Sequence, residues 1–97
     1  MRYDWDPAKD ALNQRKHGLL LADGIPALED PERDIWVDDR FDYEEERIVT
    51  TGRSGSKVLV VVSTELVRDE EGEVVIRIIS VRKANWYEED WFNFGRA

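Results

Sequence analysis

The sequence predicts an α+β domain: an N-terminal helix, a short irregular helix, a four-stranded antiparallel sheet and a C-terminal helix, with the helices grouped on one face of the sheet. Three observations predict it. A segment with both helix caps opens the chain, β-branched runs separated by turn signals fill its middle, and an aromatic stripe at helical spacing closes it. The 97 residues fit one compact domain, 1–97, with no repeat, linker or low-complexity tract.

The elements follow in order. Asp6 can accept from the free amides of a first turn, Pro7 suits the first helical position, and Gly18 suits a left-handed cap, so a helix spans Pro7 to His17. Ala8, Ala11 and Leu12 are expected to face the core, with Trp5 over the helix entrance. The next stretch, LLLADGIPALEDPERD, is apolar enough for a helix, but Gly24 and Pro26 make it irregular or kinked, ending near the Asp30-Pro31 turn. Asp34–Asp38 alternates as an edge strand, and an acidic turn at 39–46 leads to a half-exposed strand at 47–51. Residues 52–56 form a hairpin connection. Lys57–Thr64 is apolar on both faces and is the central strand; 69–72 turns again, and 73–82 is the last strand. Ala84, Tyr87, Trp91 and Phe94 then lie on one stripe of a final helix packed on the sheet.

Composition excludes several functions. Without cysteine there are no disulfides, thiolate metal sites or cysteine nucleophile, and one histidine forms no metal cluster. Runs such as Glu44-Glu45-Glu46 and Asp69-Glu70-Glu71 are expected to be solvated turns, so neither a metal nor a cofactor is implied. No apolar run is long enough for a membrane span and the N-terminal MRYDWDPAKD has no signal-peptide core; a cytoplasmic protein with no membrane partner is expected. A net charge of −8 argues against broad nucleic-acid binding, but leaves room for a small basic cleft.

Two constellations carry the remaining chemistry. Lys9, Asn13 and His17 recur every fourth residue on the first helix, with Lys16 beside them, a face able to hold a phosphate or meet an acidic partner; an ordinary solvated surface is the alternative. The second is a set of arginines: Arg47 and Arg53 on or beside one strand, Arg77 and Arg82 on another, with Lys83 at the strand end. Strand alternation places Arg77 and Arg82 on opposite faces unless a bulge intervenes. Arg77, among isoleucines, either serves function or pairs with a carboxylate such as Glu65 or Glu88.

WDPAK at 5–9, Asn13, KHG at 16–18, Asp30-Pro31, Glu46-Arg47, TGR at 51–53, LVVVSTE at 59–65 and RIISVRKA at 77–84 together resemble the BrnT toxins of BrnT–BrnA type II toxin–antitoxin modules, over almost the whole chain. The resemblance implies a RelE-like α+β fold, an mRNA-cleaving activity that stops translation, and a BrnA-like ribbon-helix-helix antitoxin, with DNA met only through that partner. It further implies metal-independent cleavage in which the ribose 2′-hydroxyl attacks the adjacent phosphate. Arg47, Arg53, Arg77, Arg82, His17 and Lys9 are then the catalytic candidates, with His17 or Lys9 moving protons and arginines on the phosphorane oxygens, while Lys16, Lys83 and Asn13 are RNA-binding candidates. After RKA, relatives usually continue with a basic helix. This chain has the acidic and aromatic NWYEEDWF instead, which motivates a second reading: a catalytically weakened binding module acting in an antitoxin- and DNA-bound autoregulatory complex.

Overall fold

The computed structural model describes residues 2–38, 46–64 and 67–95. The chain runs β1 (Arg2–Asp4), α1 (Pro7–His17), a 3₁₀ turn (Leu21–Gly24) leading into α2 (Ile25–Leu28), β2 (Asp34–Asp38), β3 (Arg47–Ser54), β4 (Lys57–Thr64), β5 (Val67–Arg68), β6 (Val74–Lys83), α3 (Trp86–Asp90) and a π-helical turn (Trp91–Gly95). Most of the acidic turn expected at 39–46, with Glu44 and Glu45, and also Glu65, lies outside the described residues.

α1 has the expected bounds and caps. Asp6 accepts a hydrogen bond from the Ala8 N–H at 2.9 Å, and Gly18, at φ 70°, donates its N–H to Gln14 O. Its packing differs from expectation. Ala8 and Ala11 are exposed and Leu12 is 47% exposed, whereas Asn13 is the buried residue. α1 docks against a strand edge through a polar side chain, so no apolar stripe is needed.

The sheet has the order β1-β6-β4-β3-β2, with β5 also paired to β6. β2, β3, β4 and β6 form the expected antiparallel sheet, β4 central and β2 at an edge. The expectation of four antiparallel strands is corrected by β1, which adds a parallel strand through Arg2↔Val75, Tyr3↔Ile76 and Asp4↔Arg77, and by β5. Three and two residues are too few for a period-2 pattern to register. β3 extends to Ser54, so the hairpin turn shrinks to Gly55-Ser56, with Gly55 at φ 62°.

The helices cover both faces, not one. Leu21 and Ala27, with Ile25 and Leu28, pack on Leu59, Val61, Ile78 and Val81; on the other face Ala84 and Phe92 pack on Val49, Val58 and Val60. A strand apolar on both sides must be covered on both sides. Near Ala84 the expected stripe is also displaced: Tyr87, Trp91 and Phe94 are exposed and Phe92 is buried. The π-helical turn accounts for this, because its wider winding rotates the residues that follow α3.

Gly24 and Gly52 set how close α2 comes. A Cβ on Gly24 would stand 2.8 Å from a Val81 methyl, and one on Gly52 would stand 2.4 Å from the Ala27 carbonyl oxygen. The second obstacle is backbone and cannot swing aside. Gly52→Ala is therefore expected to lose about 1–3 kcal/mol of stability by forcing α2 away from β3. A lower urea midpoint at an unchanged m-value would register it.

Candidate functional site

β6 carries one more residue than β4 between Ser80, which pairs with Val62, and Ile78, which pairs with Ser63. Ile79 is the extra residue of this bulge. Alternation therefore restarts, and Arg77 comes to the same face as Ser80 and Arg82. Registers carry that face onward: Arg82 pairs with Val60, Val60 with Thr51, and Arg47 and Arg53 lie at even spacings from Thr51. All four arginines thus share the face that Phe92 packs on. Lys83 does not; it alternates to the face of Leu59.

α1 reaches this face through Asn13, whose side chain is 4% exposed. Its amide donates to Val81 O and to Leu19 O, each at 2.8 Å, and its carbonyl oxygen accepts from the Val81 N–H at 3.0 Å. Val81 faces Val61 of β4 but gives both its backbone groups to Asn13, so they point to the edge away from β4. β1 occupies the same edge as far as Arg77. Asn13 thus substitutes for a strand where β1 has ended. Asp10 supports it by accepting from the Leu21 N–H at 2.8 Å.

That docking forms a cleft of about 290 Å³ lined by Lys9, Leu12, Asn13, Lys16 and His17 of α1, Arg47 of β3, and Ile79 and Ser80 of the bulge. Among the described residues Lys9, Lys16 and His17 have no ion pair. Three cations, an imidazole and a hydroxyl around one opening can hold a phosphate and move a proton beside it. Arg47 sits in register between Asp38 and Thr64, with its Nε buried. Ser80 was not among the sequence candidates; the adjacent Ile78-Ile79, which breaks alternation, was the signal for the bulge that presents it.

The remaining arginines lie outside the cleft. Arg53 stacks its guanidinium 4.9 Å from the centre of the Phe92 ring, hydrogen-bonds Asn93 and approaches Glu32 at 3.6 Å. Arg77 pairs with Asp4 at 3.1 Å, not with Glu88 as one expectation had it. Glu88 belongs to Arg82, which grips it with two hydrogen bonds of 2.7 and 2.8 Å. Those bonds hold the Glu88 carboxyl below its usual range, against the opposing effect of burial, and raise the Arg82 guanidinium in return. Glu88 and Asn85 also cap α3 reciprocally. Among the described residues no group of three or more acidic or histidine side chains is placed to hold a metal, and no helix is long and apolar enough to cross a membrane.

A family model described as the ribonuclease toxin BrnT of type II toxin–antitoxin systems matches residues 5–88. No curated protein matches the chain significantly.

Two outcomes test this assignment of roles. Asn13→Ala leaves Val81 and Leu19 with unpaired backbone groups and is expected to lose on the order of 1–3 kcal/mol, whereas Lys16→Ala should stay within about 0.5 kcal/mol of the parent; urea denaturation separates them. Because the folded-state pKa of Glu88 is depressed, its pairing stabilises the fold above the carboxyl's unfolded pKa and is lost as pH falls through the lower folded one. The Glu88 carboxyl should titrate at higher pH in Arg82→Gln than in the parent, as followed by carboxyl-carbon NMR.

Proposed function

The chain belongs to the BrnT family of ribonuclease toxins from type II toxin–antitoxin systems, and on that premise we propose that it is a metal-independent endoribonuclease that cleaves mRNA, stops translation in the cytoplasm and is held inactive by an antitoxin. The observation that carries the reading is the meeting of Lys9, Lys16 and His17 with Arg47 in one cleft. The reaction needs a base for the ribose 2′-hydroxyl, positive charge on the phosphorane oxygens and an acid for the leaving 5′-oxygen. Arg47 and Lys16 suit the middle role, since a guanidinium binds two phosphate oxygens at once and an ammonium adds a mobile point charge. His17 is the natural proton carrier, with Lys9 about two turns away along the same helix face. The 2′-oxygen displaces the 5′-oxygen at phosphorus, leaving a 2′,3′-cyclic phosphate and a 5′-hydroxyl, with one proton taken and one returned. Arg53, Arg77 and Arg82, each beside a carboxylate on the same sheet face, would line the path of the flanking RNA.

A second reading has its own supporting observation. Those three ion pairs and the exposed acidic, aromatic α3 weaken the attraction for RNA, as fits a binding module that works in an antitoxin- and DNA-bound autoregulatory complex.

Incubating the purified chain with mRNA in chelator tests the choice. Cleavage leaving cyclic phosphate ends is expected, falling about 100-fold or more in Arg47→Ala and in His17→Ala, with circular dichroism confirming that both variants fold. Intact RNA at high protein concentration selects the binding module.

A further inference from the structure

β2 is an edge strand, and among the described residues no strand pairs with its outer side. It nonetheless exposes apolar side chains on each face of the sheet, Ile35 (50% exposed) and Val37 on one and Trp36 (46% exposed), between Asp34 and Asp38, on the other. An exposed edge of this kind is one that proteins normally blunt. Each side of it opens into a cleft. Ile35 borders an apolar cleft of about 530 Å³ that also takes in Tyr3, Leu28 and Ile48. Trp36 borders one of about 400 Å³ walled by Tyr87 and Trp91, with Asp34, Glu88 and Thr51 as its polar members. Glu88 is held by Arg82, and among the described residues Asp34 has no side-chain partner, so the aromatic cleft keeps one uncompensated carboxylate.

We propose that β2 and the Trp36–Tyr87–Trp91 cleft form the docking site for an extended segment of a partner protein, which adds a strand to β2 and inserts a cationic side chain between the aromatic rings, against Asp34. Charge complementarity selects this occupant. Aromatic walls with a carboxylate attract guanidinium and ammonium groups, and an added strand alternates its side chains between the two sides. Residues of the segment opposite Ile35 and Val37 are therefore apolar, and those opposite Asp34 and Trp36 are cationic. A second copy of this chain is disfavoured: antiparallel self-pairing centred on Trp36 sets Asp34 opposite Asp38 of the other copy, carboxylate against carboxylate. RNA is disfavoured for the same reason, since its phosphates would approach the Asp34 carboxylate. Identifying the partner as the antitoxin rests on the toxin reading above; the docking chemistry does not.

The probe is a capped pentapeptide alternating valine and arginine, titrated into the isotope-labelled full chain while the indole N–H signals of Trp36 and Trp91 and the β2 amides are followed by NMR. Saturable shifts at these positions are expected at millimolar peptide. Asp34→Asn and Trp36→Thr should each weaken binding about fivefold, and a proline at the central position of the peptide should weaken it by blocking strand addition. Equal shifts with the glutamate version of the peptide, shifts with a short oligouridylate but not the peptide, or no shifts at all would each overturn the proposal. Because the assay contains no cleavage step, a silent titration leaves the ribonuclease reading standing. A bound peptide on a chain that leaves RNA intact sinks only the latter.

Discussion

The arrangement of the cleft depends on one side chain, Asn13. A helix lying along the open edge of a sheet faces backbone N–H and C=O groups that lack a ladder partner, and leaving them buried and unpaired is costly. Asn13 carries one acceptor and two donors on a rigid amide, the same complement a strand residue offers, and it meets both groups of Val81 while its second donor ties down Leu19. With Asp10 holding the Leu21 N–H, hydrogen bonds fix α1 to β6 and to the following turn. A helix docked in this way need not hide its flanks. Lys9, Lys16 and His17 therefore stay in solvent yet remain fixed relative to Arg47, two strands from β6 in the sheet.

The sheet's two faces have separate tasks. On one, Gly24 and Gly52 admit α2 to backbone contact, and the buried cluster is built from aliphatic side chains that leave little room for polar groups. On the other, Phe92 and Ala84 pack on Val49, Val58 and Val60, and the four arginines share the face with the aromatic cleft of Trp36, Tyr87 and Trp91. Cations and carboxylates alternate across this face: Arg53 beside Glu32, Arg77 beside Asp4 and Arg82 beside Glu88.

What the sequence made legible was local. The caps of α1, the bounds of β4 and the irregularity around Gly24 and Pro26 all follow from neighbouring residues, and each stands as expected. The departures come from contacts between residues far apart in the chain. Asn13 sits on the polar side of an amphipathic pattern, and only its 68-residue separation from Val81 explains why it is buried. β1 gains its identity from β6, not from its own three residues. The π-helical turn exchanges Phe92 for Trp91 and Phe94 in the core, a shift that a fixed helical period cannot represent. The bulge lies between these extremes. Ile78-Ile79 already interrupts the alternation of its strand, and reading it as a bulge is enough to bring Arg77 and Arg82 to one face.

Sharing a face is not the same as sharing a site, and the partners of the four arginines separate them. Exposed ion pairs such as Arg77–Asp4 and Arg53–Glu32 are worth no more than about 1 kcal/mol each. Arg82 differs. Its partner Glu88 accepts two guanidinium hydrogen bonds and also the Asn85 N–H that begins α3. Taking Arg82 away from Glu88 would loosen the helix that carries Trp86 and Tyr87 and leads into Trp91, so in this chain Arg82 supports the aromatic surface. The acidic α3 and its grip on Arg82 belong together: Glu88 anchors the helix to β6, while Lys9, Lys16, His17 and Arg47 meet in a separate cleft between α1 and β3.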